Sequence, residues 1–206
     1  MDSERITHAE EENTGMSHEI ANDRATMNNS DNAALKTDDF AGDNTCDSAS
    51  EEIIADIITA DESYMRIALA EAATAAKLGE VPVGAVIVKD GEIIARSHNL
   101  VESNRSSSAH AEMLALAEAE ERLKAKWLTG ATMYVTLEPC SMCAGAIVLA
   151  RLYRLVIGAK DPKTGACGSR LNIACNEELN HRVETVTGIL EEECSKILKD
   201  FFRARR

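Results

Sequence analysis

Residues 131–150, ATMYVTLEPCSMCAGAIVLA, combine a strand pattern, a proline and two closely spaced cysteines. The first seven residues are mostly apolar and β-branched, which predicts a strand. The apolar segment after the proline predicts a helix that continues through Leu149. Cys140 and Cys143 then lie on one face of the first turn of that helix, where the helix dipole favours thiolates.

The sequence on both sides of this stretch alternates between strand and helix patterns. VGAVIV (83–88) and IIARS (93–97) predict two strands, and Asp90-Gly91 between them predicts a hairpin turn. The first of these strands is apolar nearly throughout, which indicates burial on both faces. Further strands are predicted at residues 152–159 and 182–188, and helices at residues 59–79, 109–126 and 189–206.

The order of these elements predicts an α/β protein with three α/β/α layers, in which helices cover both faces of a mixed sheet of about five strands. Thr59 and Glu62 have the spacing of a capping box, which predicts that the first long helix begins at Thr59. Upstream, Ser50 precedes EEIIADII, which forms either a separate short helix or an extension of the next helix.

The charge of the chain is distributed very unevenly. The net charge is −13, and residues 1–60 contain three basic and fifteen acidic residues, or −12 of that total. Residues 61–206 keep the other 19 basic and 20 acidic residues, so this part is nearly neutral. The overall acidity therefore does not exclude a nucleic-acid partner for the body of the protein.

Composition also divides the chain into two parts. Residues 1–50 are rich in Asn, Asp, Ser, Thr and Glu and poor in branched aliphatic residues, which predicts a disordered acidic extension before a folded domain at residues 51–206. The extension lacks the basic, apolar pattern of a secretory signal, and no segment has the roughly 18 apolar residues of a membrane span. We therefore expect a cytoplasmic protein without a membrane partner.

Two cysteines alone leave three interpretations open: a redox pair, a disulfide, or part of a zinc site. The cysteine content favours free thiols or metal ligands in a cytoplasmic chain. Cys167, Cys175 and Cys194 have no partner at ligand spacing, and we interpret them as structural thiols.

His110 and Glu112 change this balance, because they open the helix predicted before the cysteine stretch. Successive strand-to-helix units of a parallel pair bring helix N-termini to one edge of a sheet, so His110, Cys140 and Cys143 can converge. Three protein ligands leave one tetrahedral position for water, as in catalytic zinc sites, and zinc lowers the pKa of that water to about 7. Glu112 is then placed to carry protons. Taken singly, His110 and Glu112 would equally suit a helix cap and a solvated side chain.

The pattern HAE (110–112) followed by PCSMC (139–143) resembles the signature of the zinc-dependent nucleobase and nucleoside deaminases. Residues 61–206 more closely resemble the bacterial-type tRNA adenosine deaminases. The matching segments are EVPVGAVIV (80–88), AHAEMLAL (109–116), the stretch quoted above, IGAKDPKTGACGS (157–169), LNHRVE (179–184), GILEEEC (188–194) and DFFRARR (200–206).

This resemblance implies a cytidine deaminase-like fold, one Zn²⁺ per subunit, no organic cofactor and a homodimer. It implies hydrolytic conversion of adenosine to inosine at the wobble position of a tRNA anticodon, with an arginine tRNA the expected substrate. His110, Cys140 and Cys143 would bind zinc, and Glu112 would shuttle the proton of the zinc-activated water. Asn99 would hydrogen-bond the flipped base.

The resemblance also implies contacts to an anticodon stem-loop outside the zinc site. Asp161 and Lys163 belong to a loop that would border the bound nucleotide and its neighbours. The basic chain end would attract phosphates and stack on a base. These candidate contacts are Asp161, Lys163, Phe201, Phe202, Arg203, Arg205 and Arg206.

Several alternatives stay open on the sequence alone. A free-base or nucleoside/nucleotide deaminase, such as a guanine or cytosine deaminase, would share the zinc site without needing the basic chain end. A pair of phenylalanines at a helix end, such as Phe201 and Phe202, is more often part of the core, and terminal arginines often complement a helix dipole. The acidic extension is either a passive solubilising segment or a competitor of RNA phosphates for the basic surface.

Overall fold

The computed structural model describes the backbone of residues 45–206 and the side chains of residues 53–206. The predicted acidic extension, residues 1–50, lies almost entirely outside the described residues. The helices are α1 (Thr45–Leu78), α2 (Val101–Asn104), α3 (Ala111–Leu123), α4 (Ser141–Leu149) and α5 (Glu191–Arg203). The strands are β1 (Gly84–Lys89), β2 (Glu92–His98), β3 (Thr132–Leu137), β4 (Arg154–Ala159) and β5 (Glu184–Thr187).

The five strands form one mixed sheet in the order β2-β1-β3-β4-β5. Strand β1 pairs antiparallel with both β2 and β3, whereas the β3–β4 and β4–β5 pairs are parallel. Side chains of α3 and α4 pack on one face of the sheet, and side chains of α1 and α5 pack on the other. The predicted three-layer α/β/α architecture is thus confirmed.

The hairpin between β1 and β2 follows the prediction closely. Asp90 and Gly91 both have positive φ angles, 52° and 79°, as a two-residue type I′ turn requires. Strand β1 is buried along almost its whole length, because it lies between two strands and beneath helices on both faces.

The predicted N-terminus at Thr59 is wrong, because α1 is one continuous helix of 34 residues that begins at Thr45. Thr59 Oγ1 does not cap a helix but donates a hydrogen bond of 2.8 Å to the carbonyl oxygen of Ala55, one turn earlier. The segment that follows Ser50 is therefore an extension of the long helix, which was the second of the two interpretations. No helix within residues 45–206 is long and apolar enough to cross a membrane.

A buried ion pair anchors α1 to the sheet. Asp61, only 3% exposed, accepts hydrogen bonds of 2.8 and 2.9 Å from both terminal nitrogens of Arg154 on β4. The hydroxyl of Tyr134 on β3 donates a third bond of 3.0 Å to the same carboxylate. One side chain of α1 thereby joins two parallel strands.

We expect Asp61→Ala to destabilise the protein by about 3 kcal/mol, because the largely buried Arg154 guanidinium loses both hydrogen bonds to Asp61 and keeps only a 3.4 Å ion pair with the exposed Glu184. The free energy of unfolding in urea measures this effect. The matched control is Glu62→Ala, which removes an exposed pair with Arg66 on the same helix and should cost less than about 1 kcal/mol. Equal losses in the two variants would contradict the anchoring role.

Candidate functional site

Three ligand atoms meet where α3 and α4 begin. His110 Nδ1 lies 3.7 Å from Cys140 Sγ and 3.5 Å from Cys143 Sγ, and the two sulfurs are 3.7 Å apart. A disulfide would need about 2.05 Å between the sulfurs, so the two cysteines are free thiols in this structure. The structure brings together the three residues that the sequence predicted as zinc ligands.

The size of this triangle fits zinc. With Zn–S near 2.3 Å and Zn–N near 2.05 Å, tetrahedral angles place two sulfurs about 3.8 Å apart and a sulfur and a nitrogen about 3.6 Å apart. The observed separations of 3.5–3.7 Å agree with both values. One imidazole and two thiolates are also a common donor set for a zinc site with an open fourth position.

The two thiols have opposite proton affinities. The pKa of Cys140 is lowered to about 5, mainly by the hydrogen bond from the Cys143 thiol and further by the backbone N–H groups of Cys143 and Met142 at the start of α4. The same hydrogen bond, together with burial, raises the pKa of Cys143. One thiolate therefore forms readily, and a bound cation would displace the proton of the other thiol.

The route by which these residues converge differs from the prediction in one respect. The strands that precede α3 and α4 are β2 and β3, which run in the same direction but are not neighbours, because β1 lies between them. Helix α3 begins at the same edge of the sheet as α4 because β2 and β3 end at that edge. Convergence thus depends on a shared strand direction and not on a directly paired βαβ unit.

Glu112 lies in the first turn of α3 and is only 4% exposed. Burial raises the pKa of its carboxyl group. A raised pKa makes this carboxylate a stronger proton acceptor than an exposed glutamate, which suits a group that takes up a proton and returns it. The interpretation of Glu112 as a solvated helix residue is therefore wrong.

A cavity of about 520 Å³, here called the central cavity, opens beside these residues. It brings the predicted metal ligands and acid/base to the same space as several of the predicted substrate contacts. The predicted site residues on its wall are Asn99, His110, Glu112, Cys140, Asp161, Phe201, Phe202 and Arg205.

Asn99 follows β2 directly and is 7% exposed. Its backbone N–H donates to the carbonyl oxygen of Val83 at 3.1 Å, which fixes the residue at the end of the sheet. Within residues 53–206 no protein group hydrogen-bonds its side-chain amide, so the amide is available to a molecule in the central cavity.

Glu80 holds the segment after Asn99 in place, a role that sequence reasoning missed. Its carboxylate is 1% exposed and accepts hydrogen bonds from the backbone N–H groups of Glu102 and Ser103, at 3.1 and 2.7 Å. The Ser103 hydroxyl donates a further bond of 2.7 Å. Burial alone would raise the pKa of Glu80, but these hydrogen bonds lower it. The short helix α2, which was also not predicted, is capped in this way.

Glu138, just before the cysteine turn, organises the loop between β4 and β5. Its carboxylate accepts backbone N–H bonds of 3.0 Å from Asp161, Cys167 and Ser169, and a fourth hydrogen bond from the Ser169 hydroxyl. Burial would raise its pKa, but the bonds from Ser169, Asp161 and Cys167 together lower it. Gly165 lies against this carboxylate, where an added Cβ would be 2.4 Å from the Glu138 carboxyl carbon.

Asp161 therefore lies at the central cavity on a loop whose backbone is hydrogen-bonded to Glu138. Its own side chain accepts a hydrogen bond of 2.8 Å from the backbone N–H of Lys163 and another from the Thr164 hydroxyl. Lys163 points to a neighbouring cavity instead. Only the HxE and PCxxC spacing was visible in the sequence, and a glutamate before PC gave no signal of this loop contact.

The aromatic pair of α5 forms part of the cavity wall and not of the core. Phe202 is 50% exposed, and its ring meets that of Phe201 edge-on at a centroid distance of 5.4 Å. The guanidinium carbon of Arg205 lies 3.6 Å from the Phe201 ring centroid, and Arg205 also donates to the carbonyl oxygen of Gly79 at 2.9 Å. Arg205 thus fastens the end of α5 to the end of α1, whereas the sequence had suggested a phosphate contact.

A second cavity of about 770 Å³, here called the basic cavity, adjoins the central one. The two cavities share wall residues, among them Asp161, Thr164 and Phe202. The basic cavity is lined by five cationic side chains, namely Lys160, Lys163, Lys199, Arg203 and Arg206. Three predicted RNA contacts, Lys163, Arg203 and Arg206, thus lie beside the central cavity and not within it.

Comparison with known proteins gives a consistent result. Residues 59–206 match the family model of the MafB19-like deaminases. The chain is 54% identical over 149 residues to a tRNA-specific adenosine deaminase of Bacillus subtilis, which covers 72% of this chain and 92% of that protein. Identity to the corresponding Aquifex aeolicus protein is 49% over 145 residues, or 70% of this chain and 95% of that protein.

Solved structures show the same fold. One, from a study of A-to-I editing by tRNA:A34 deaminases at the wobble position, has a TM-score of 0.64 and 44% identity, covering 66% of this chain and 99% of that chain. A guanine deaminase from Nitrosomonas europaea has a TM-score of 0.61 at 24% identity, covering 68% of this chain and 83% of that chain, a likeness of fold alone.

We expect the purified protein to contain about one zinc ion per chain, because three ligand atoms form one site. His110→Ala and Cys143→Ala should each reduce the zinc content, measured by plasma mass spectrometry, to a small fraction of that value. Cys167→Ala is the matched control, since it removes a buried thiol outside the triangle and should keep the zinc. Full zinc content in the Cys143→Ala variant would show that Cys143 is not a zinc ligand.

We expect Glu138→Gln to destabilise the protein by about 2 kcal/mol, because an amide nitrogen would face N–H donors that lose their acceptor. Amide hydrogen exchange should accelerate at Asp161, Cys167 and Ser169 and stay unchanged in β1. The exposed Glu178→Gln serves as control. The stability difference should shrink as pH falls through the lowered pKa of Glu138, because the wild-type carboxyl then also carries a proton. Unchanged amide hydrogen exchange at Asp161, Cys167 and Ser169 would show that the Glu138 carboxylate does not hold this loop.

Proposed function

The chain belongs to the tRNA-specific adenosine deaminases within the MafB19-like deaminase family, and from this membership we propose that it converts adenosine to inosine at the wobble position of a tRNA anticodon. The observation that carries the proposal is the His110–Cys140–Cys143 triangle, which shares its cavity with the buried Glu112. An arginine tRNA is the proposed substrate. The resemblance to bacterial enzymes supports a cytoplasmic location and a homodimer.

The reaction consumes water and adenosine and releases ammonia and inosine. Zinc held by His110, Cys140 and Cys143 would supply Lewis-acid chemistry that makes a water molecule acidic at neutral pH. Glu112 removes a proton from the water as the new C–O bond forms at the ring carbon that carries the amine. The same carboxyl returns that proton to the amine nitrogen as the C–N bond breaks. The raised pKa of Glu112 favours retention of the proton between the two steps.

Asn99 supports the recognition of a single extruded base. Its free amide faces the central cavity, where it can donate to and accept from the edge of a purine. Flipping a base out is least costly where the base is already unstacked, as in an anticodon loop. A cavity of about 520 Å³ is large enough for one nucleoside and too small for a stacked helix.

The basic cavity supports the proposal that the substrate is an RNA rather than a free nucleoside. It adjoins the central cavity, and its five cationic side chains suit the phosphates that flank a flipped nucleotide. Phe202 lies on the wall of both cavities, where its half-exposed ring can stack on a neighbouring base. Arg203 and Arg206 would attract phosphate, while Arg205 would keep Phe201 in place.

The proposal predicts inosine formation in an anticodon stem-loop RNA with adenosine at the wobble position. Glu112→Gln should lower kcat by a factor of roughly 10²–10⁴ without loss of zinc, because the amide cannot carry the proton. Glu121→Gln, on the exposed side of the same helix, is the matched control and should keep full activity. Inosine is measured by nuclease digestion and chromatography, with stem-loops of arginine and other tRNAs compared.

Free adenosine, guanine, cytosine and cytidine form the second arm of the experiment. Ammonia release from one of these, with no inosine in any RNA, would reject the tRNA substrate and favour a free-base or nucleoside deaminase. Activity that survives in the Glu112 variant would reject the proton-carrying role instead. The two outcomes are therefore separable.

A further inference from the structure

Residues 45–60 of α1, here called the arm, carry a row of uncovered isoleucines. Ile53, Ile54, Ile57 and Ile58 are exposed to 60%, 56%, 47% and 46%. Their spacing places them on one side of the helix, in line with Asp61, which is buried against the sheet. Four exposed isoleucines in one row form a contiguous apolar patch of the kind that marks an interaction site.

The arm is also strongly acidic, and all of it except residues 59 and 60 lies outside the part of the chain that matches the family model. Its sequence contains Asp47, Glu51, Glu52 and Asp56 and no basic residue. The match to the deaminase family begins at residue 59. The chemistry of the central cavity therefore gives no reason for these isoleucines, and a partner for the arm should combine an apolar groove with basic residues.

Such a groove lies between α3 and α4, on the opposite face of the sheet. It has a volume of about 330 Å³, and its apolar wall includes Met113, Trp127 and Leu149. Trp127 and Leu149 are exposed to 48% and 72%, although both are large apolar side chains. Aromatic side chains that are exposed beside a groove are typical anchors of protein interfaces.

Two cations lie beside the Trp127 end of the groove, whereas the arm is acidic. The Lys126 ammonium and the Arg151 guanidinium each lie 4.5 Å from the centroid of the Trp127 ring, so two positive charges flank the aromatic anchor. Glu120 is the single carboxylate on the groove wall. An amphipathic acidic helix laid in this groove would bury its isoleucines against Trp127 and pair its carboxylates with the two cations.

We propose that the arm of one molecule docks into the α3–α4 groove of a second copy of the chain. A continuous helix that packs on the α1/α5 face cannot turn back to a groove on the other face of its own sheet, so the contact must join two molecules. If each arm occupies the groove of the other molecule, the arrangement closes as a symmetric dimer. The inference rests on the homodimer proposed above and assigns part of its interface.

Charge excludes two other occupants of the isoleucine row. A second arm would bring four more carboxylates and no cation, and residues 1–44 contain three basic residues against eleven acidic ones. Like charges at close range oppose both pairings. The remaining competitor within the protein is the basic cavity of a second copy, which would place the arm where RNA is proposed to bind.

Photo-crosslinking in the full-length, zinc-loaded protein tests the proposal. Ile57→p-benzoylphenylalanine is mixed with an equal amount of isotopically labelled wild type and irradiated, and crosslinked peptides are identified by mass spectrometry. We expect crosslinks between the two isotopic forms that end at or beside Trp127 or Leu149. The same substitution at Leu171 is the control and should not reach the groove, because Leu171 is similarly exposed, at 53% against 47% for Ile57, but lies outside α1, α3 and α4.

Charge exchange gives an independent measurement. Asp56→Lys and Lys126→Glu should each raise the dimer dissociation constant by roughly threefold, and the double variant should return it towards the wild-type value. Sedimentation equilibrium measures these constants. If the losses of binding free energy in the two single variants simply add in the double variant, Asp56 and Lys126 do not contact each other.

Each other outcome of the crosslinking overturns the proposal. Crosslinks at Leu198 or Phe202 would place the arm in the basic cavity, and crosslinks within one molecule would place it on its own body. A dimer without arm crosslinks would keep the homodimer and reject the arm contact. Deaminase activity is assayed on the same samples, so that failure of the proposed function is recorded separately from failure of the docking.

Discussion

The close approach of two helix N-termini is the constraint on which the rest of the structure depends. Helices α3 and α4 must begin within a few ångströms of each other if one imidazole and two thiols are to share a cation. That requirement is met because β2 and β3 run in the same direction, although β1 lies between them and is antiparallel to both. It also explains why a mixed sheet serves this site as well as a purely parallel one would.

Sequence reasoning found the parts of this arrangement that have a local signature. The Asp90-Gly91 turn, the apolar β1 and the HxE and PCxxC pairs are all visible as residue types at short spacing. The capping-box reading of Thr59 failed for an instructive reason. A threonine hydroxyl can bond backward to a carbonyl one turn earlier, and a continuing helix uses it in that way.

The features that sequence could not supply depend on contacts between distant segments. Glu80 and Glu138 appear in the sequence as ordinary acidic residues near a turn and a proline. In the fold, both carboxylates are buried. Glu80 accepts hydrogen bonds from N–H groups in the first turn of α2, and Glu138 accepts them from the loop between β4 and β5. Loops beside a cavity must avoid unpaired polar groups, and a buried acid satisfies several of them at once. Such a role becomes visible only in the folded chain, where each carboxylate meets N–H groups that are 22 to 31 residues away in sequence.

The length of α1 separates the acidic first turns of this helix from the central cavity. At 1.5 Å per residue, the 34 residues from Thr45 to Leu78 span about 50 Å. The far end of this helix adjoins the central cavity through Gly79, so Asp47, Glu51, Glu52 and Asp56 belong to the end of α1 that is remote from the cavity. In physiological salt a charge is screened over about 8 Å. The helix thus works as a spacer, and the acidic residues of the arm lie several screening lengths away from a phosphate at the central cavity.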